Sequence, residues 1–190
     1  DAWWPFVEQG VEAIVMNASG CGVMVKDYGH VLKDDAAYAA KAKRISDLTQ
    51  DLSELLPELV PVLKPKLKAH VLANAGMQAF HPPCTLQHGQ KLKGGVEHHM
   101  AALGFAIQVA NNESHLCCGS AGTYNLLQPG ISAQLKARKV QTLTARNPDV
   151  IAAGNLGCMM QIGSGTQVPV VHTVELLDWA TGGPKPAALG

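Results

Sequence analysis

Charge of either sign is scarce in this chain, and it cancels. Asp, Glu, Lys and Arg make up 16% of the 190 residues, and 15 basic residues balance 15 acidic ones. A net charge of zero excludes the basic stripe of a nucleic-acid footprint and offers no polybasic membrane anchor. Long apolar runs are also missing: none reaches the roughly eighteen residues of a spanning helix. The first residues, Asp1-Ala2-Trp3-Trp4-Pro5, lack the basic region and apolar stretch of a signal peptide. They also lack an initiator Met and begin abruptly, which suggests a piece of a longer polypeptide. Gly119-x-x-Gly122 lacks the third glycine and the following acidic residue of a dinucleotide fingerprint. Ser120 and Thr123 lie in no Gly-x-Ser-x-Gly frame and read as loop or cap residues.

What the chain does have is apolar bulk and thiols. Hydrophobic residues make up 47%, enough for a packed core. Five cysteines are an odd number for a disulfide framework, and a chain this long and apolar does not need one. We therefore expect a reducing compartment, with thiols kept for metal or redox chemistry.

Short apolar runs alternate with helical periodicity. Strands are predicted at Val11–Met16, within Gly76–His81, and at Phe105–Ala110, Val150–Ala153 and Val168–Val171. The three- and four-residue spacing of Tyr38, Ile45, Leu48, Leu52, Leu55 and Leu56 predicts one amphipathic helix from Asp34 to Leu56, capped by Asp34 or Asp35 and ending near Pro57. Pro61 and Pro65 leave Leu59–Lys68 as a short helix or linker. Further helices are predicted at Cys84–Lys91 (a turn or helix), Val96–Leu103, Ile131–Arg146 and Thr173–Ala180. In Ile131–Arg146, Ile131, Leu135 and Leu143 form the apolar face, and Lys136, Arg138, Lys139 and Arg146 read as a solvated one. The order strand, helix, strand, helix predicts an α/β fold with a mostly parallel sheet flanked by helices in αβα layers. An internal echo pairs Ala13–Cys21 with Val150–Cys158, each ending in Gly-Cys just after a strand.

The cysteines carry the chemistry. Cys84, the Cys117-Cys118 pair and Cys158 each follow a predicted strand within a few residues or one loop. In a parallel sheet such positions gather at the carboxyl edge, so residues distant in sequence meet there. Thiolates are soft ligands suited to iron–sulfur clusters and to zinc. Gly22, Gly119, Gly122 and Gly157 flank the cysteines and let backbone N–H groups approach a cluster. A single cysteine of this kind reads as a core residue; the set reads as a metal site. His81, His88, His115 and His172 lie near strand ends or cysteines; each reads first as a capping or core histidine, with one of them as a ligand or ligand neighbour the alternative. His98 and His99 read as solvated.

Pro83-Cys84, Cys117-Cys118-Gly119-Ser120-Ala121-Gly122 and Gly157-Cys158 resemble the cysteine-rich CCG domain family. Its pattern is a Cys, thirty-odd residues, a Cys-Cys pair, a similar gap and Cys-x-x-Cys. Cys117–Pro129, Gly154–Ile162 and Val168–Pro186 are similar to iron–sulfur subunits of glycolate oxidase. The resemblance implies a Rossmann-like repeat, with residues 1–62 the remainder of a first repeat plus a linking helix and 63–190 a complete second repeat. It implies metal ligation by Cys84, Cys117, Cys118 and Cys158, with Gly119, Ser120 and Asn155 beside the cofactor. Cys21 becomes the last cysteine of the first repeat. Asn155 stands where the pattern has a further cysteine, so four thiolates and a [4Fe–4S] cluster are expected rather than a five-cysteine cluster. Zinc fits four thiolates equally. The implied role is electron transfer from a flavin subunit toward a quinone or other acceptor, in the cytoplasm or at the inner face of the bacterial membrane. The implied partners are flavin subunits and a ferredoxin-like N-terminal part of the same subunit. Two other readings remain open: a structural zinc-binding or metal-free docking domain, and a thiol–disulfide redox domain of the heterodisulfide reductase type.

Overall fold

A computed structural model describes all 190 residues. The chain runs α1 (Trp4–Glu8), β1 (Ile14–Met16), α2 (Ser19–Lys26), α3 (Tyr28–Val31), α4 (Ala39–Leu48), β2 (Thr49–Asp51) and α5 (Leu52–Leu63). It continues through α6 (Ala69–Asn74), β3 (Met77–His81), α7 (Gly95–Ala102), β4 (Ala106–Val109), α8 (Tyr124–Leu127) and α9 (Pro129–Thr144). It closes with β5 (Val150–Ala153), α10 (Leu156–Gly163), β6 (Val170–His172) and α11 (Thr173–Thr181). A single π-helical turn, Thr85–Gly89, follows Cys84.

β3 to β6 form one parallel sheet in the order β4-β3-β5-β6. β1 and β2 form a separate parallel pair. The α/β expectation holds, and its cause is visible in the strands. Val150, Ile151, Ala152 and Ala153 are all buried, as a parallel strand covered on both faces must be. Successive side chains serve opposite faces. Phe80, Val150, Ala152 and Val171 pack with α5, α7 and α11 residues such as Leu56, Met100 and Leu176. Ala79 and Ile151 face the other way, onto Leu143 of α9 and Ile162 of α10. Cys118 and Cys158 belong to this second, smaller core.

The predicted helix Asp34–Leu56 is not one helix. It is α4, a three-residue strand and α5. Thr49, Gln50 and Asp51 pair with Ile14, Val15 and Met16. Asp51 then caps α5: its carboxylate accepts from the Ser53 N–H at 2.9 Å, and Glu54 accepts from the Asp51 N–H at 2.7 Å. Pro57 does not end α5 but lies inside it with Pro61. Each removes one intrahelical N–H, and Leu56, Val60 and Leu63 hold the helix by packing on the main core. Asp35, expected as a cap, accepts from the N–H groups of Ala37 and Tyr38 one turn ahead of α4. The first strand is shorter than Val11–Met16, starting at Ile14.

The internal echo extends beyond the Gly-Cys steps. Asp51-Leu52-Ser53-Glu54-Leu55-Leu56 and His172-Thr173-Val174-Glu175-Leu176-Leu177 occupy equivalent strand-to-helix corners, and both corners close with a capping box. The two units meet where their strands end. The Ser19 N–H donates to the Gly154 carbonyl at 3.2 Å, and His172 Nε2 lies 2.7 Å from the Asn17 carbonyl.

α9 is turned relative to the expected face. Ser132, Lys139 and Leu143 are buried, and Ile131 is half exposed. Lys139, expected in solvent, is fully buried because its ammonium donates to two backbone carbonyls.

Candidate metal centre

In the order β4-β3-β5-β6 the chain direction of winding reverses between β3 and β5, which is where parallel sheets open a crevice at their carboxyl ends. Cys84 follows β3 and Cys158 follows β5, flanking that point. Cys117 and Cys118 come from the loop after β4. Cys158 lies in the first turn of α10, as Cys21 does in α2.

The four sulfurs form a connected chain. Cys84 and Cys117 Sγ are 4.0 Å apart. Cys117 and Cys118 are adjacent in the chain, and the Cys118 and Cys158 Sγ lie within 4.8 Å of each other. Cys118 and Cys158 are buried, Cys84 and Cys117 are half-buried, and none is in a disulfide. Cys21 is exposed.

Backbone and side-chain donors converge on the sulfurs. The Gly119 N–H reaches Cys117 Sγ at 3.3 Å. Asn155 Nδ2 donates to Cys158 Sγ at 3.2 Å, while its Oδ1 accepts from the Gly20 N–H at 3.0 Å. Gly119 has a φ of +90°, and a Cβ there would lie 2.5 Å from the Ser132 carbonyl oxygen. Only glycine allows the chain to pass so close to α9.

These contacts split the thiols into two classes. Hydrogen bonds from Cys118 and Cys84, helped by the Gly119 N–H, push Cys117 down to about 2 against the effect of burial. Cys158 falls to about 5, through Cys118 first and then the His81 ring and Asn155, again against burial. Cys84 and Cys118 are pushed up by donating to those thiolates and by burial.

His81 is the residue that the sequence undervalued. It ends β3, it is fully buried, and neither ring nitrogen has a hydrogen-bond partner. A ring nitrogen and the sulfurs of Cys118 and Cys158 all lie within 4.8 Å of one another. Buried polar atoms are nearly always satisfied, so an orphaned imidazole facing two sulfurs fits a group lodged among them. Its position at a strand end beside Pro82-Pro83-Cys84 was the available signal. His88 and His115 are exposed and do not join the site; His172 caps α11 instead.

Residues 78–163 match the cysteine-rich CCG domain. The match spans all four clustered cysteines and excludes Cys21. Relatives extend the likeness along the chain. The iron–sulfur subunit of glycolate oxidase from Escherichia coli is 46% identical over 180 residues, which is 95% of this chain and 42% of that protein. The chain thus spans about two fifths of that relative's length. Lactate utilization protein A from Anoxybacillus flavithermus is 28% identical, covering 88% of this chain and 70% of the relative. The Bacillus subtilis protein of the same name is also 28% identical, covering 90% and 71%. No helix here is long and apolar enough to cross a membrane.

Proposed function

We propose that Cys84, Cys117, Cys118 and Cys158 hold a [4Fe–4S] cluster, and that this chain is an electron-transfer module of a glycolate-oxidising complex. The observation that carries the reading is the gathering of four sulfurs, from three segments that each follow a strand, at one end of a parallel sheet. Four thiolates match the four irons of a cubane cluster. Such a cluster supplies one-electron transfer without bond-making.

The chain's own residues set its conditions. Gly119 presents its N–H to the Cys117 sulfur, which stabilises negative charge there. Asn155 does the same for Cys158 and ties that sulfur to α2. Burial of Cys118 and Cys158 excludes water from one side, while half-buried Cys84 and Cys117 leave a side open to a partner.

The name of the relative with the highest identity given above supports the wider assignment. In this reading electrons arrive from a flavin-containing subunit and leave toward a quinone or another acceptor. A ferredoxin-like N-terminal part of the same subunit lies on that route. The complex works in the cytoplasm or at the inner membrane face, held there through its partners. Residues 1–62 are then the remainder of a first repeat, whose last cysteine is Cys21, plus a linking helix, and residues 63–190 form a complete second repeat.

Zinc is the competing occupant, favoured by the close grouping of His81, Cys118 and Cys158. Anaerobic purification followed by elemental analysis separates the two. Iron with acid-labile sulfide supports the proposal; stoichiometric zinc under the same conditions overturns it.

A further inference from the structure

Lys139 is a buried cation without a carboxylate partner. It is fully buried in α9, and its Nζ donates to the carbonyls of Glu113 at 2.9 Å and Ser114 at 3.1 Å. The nearby Glu113 carboxylate is taken by Arg138. Burying an ammonium is unfavourable unless opposite charge offsets it. Carbonyl dipoles supply part of that. Burial pushes the Lys139 ammonium down, and the sulfurs of the Cys117-Cys118 pair and Cys158 push it back toward the charged form.

Its placement is specific. Ser132 and Lys139 lie seven residues apart on one face of α9, about 10 Å along the axis. Ser132 Oγ donates to the Gly119 carbonyl at 2.8 Å, just after the cysteine pair. Lys139 grips Glu113 and Ser114, just before it. The two side chains pin the Cys117-Cys118 loop at both ends, and one of the pins carries a positive charge.

We propose that Lys139 is the resident counter-charge of the cysteine-bound cluster and a positioning residue that sets its reduction potential. This rests on the cluster assignment above. Adding an electron makes the thiolate-ligated centre more negative, so a fixed buried cation favours the reduced state. Removing the cation lowers the potential.

The test is a potentiometric titration, followed by electron paramagnetic resonance, of the chain reconstituted anaerobically with iron and sulfide and reduced with dithionite. Lys139→Gln keeps donors and removes the charge; Lys139→Arg keeps the charge. At the wild-type midpoint the reduced-to-oxidised ratio of Lys139→Gln should fall about tenfold, equal to about 59 mV for one electron. Lys139→Arg should stay near wild type. An unchanged midpoint in Lys139→Gln overturns the proposal. Loss of iron from the Gln variant with retention in the Arg variant supports it. Where both variants lose iron, wild-type protein labelled with ¹⁵N-lysine decides: one lysine ammonium signal should broaden on reduction, and no such broadening overturns the proposal. A wild-type chain that binds no iron defeats the cluster assignment instead, a distinct result.

Discussion

At the scale of the residue, Gly119 shows how tightly the site is specified. Its left-handed φ and its 2.5 Å approach to the Ser132 carbonyl leave no room for a side chain. Gly119→Ala should cost about 2 kcal/mol through backbone strain alone, lowering the melting temperature by roughly 4–8 °C in a chain of this length. Thermal unfolding followed by circular dichroism checks this, and a melting temperature within about a degree of wild type would contradict the geometry. The cysteines were legible in the sequence because thiols paired with glycines after strands are unusual. His81 and Lys139 were not. A lysine on a helix reads as solvated until its ammonium is found donating to the packed loop carbonyls of Glu113 and Ser114. A histidine next to Pro82-Pro83 reads as a cap until its two nitrogens are found without partners.

At the scale of the element, the apolar runs that became β3, β4 and β5 were legible because both faces of a parallel sheet exclude water. β2 was hidden. Thr49-Gln50-Asp51 is polar, and it interrupts a helical spacing that continues through α5. α2 and α10 were hidden by their glycines and cysteines, which are poor helix formers. Their short lengths hold because each first turn is anchored at a strand end. The corner at Asp51 carries a quantitative expectation. Asp51→Ala removes the cap to Ser53 and the contact with Gln90 Nε2 at 3.0 Å. It should destabilise the chain by about 1 kcal/mol, read as a lower midpoint in urea with an unchanged slope. A midpoint equal to wild type would show that the capping box contributes nothing here.

At the scale of the molecule, three segments distant in sequence close around one centre. Occupation of that centre should therefore stabilise the whole chain by mass action. Removing metal anaerobically with a chelator should lower the melting temperature. It should also raise amide hydrogen exchange in the Cys84–Gly89, Glu113–Gly119 and Asn155–Met159 segments more than in α5 or α7. Equal exchange across the chain would place the metal elsewhere. The equivalent corners at Asp51 and His172 extend the Gly-Cys echo that was visible in the sequence.

The central claim is that Cys84, Cys117, Cys118 and Cys158 hold one iron–sulfur cluster. Its most direct test is iron and sulfide analysis of the anaerobically reconstituted chain beside its Cys117→Ser, Cys118→Ser and Cys21→Ser variants. The account predicts about four irons per chain, lost in the first two variants and kept in the third. Iron content unchanged by Cys117→Ser and Cys118→Ser would contradict it.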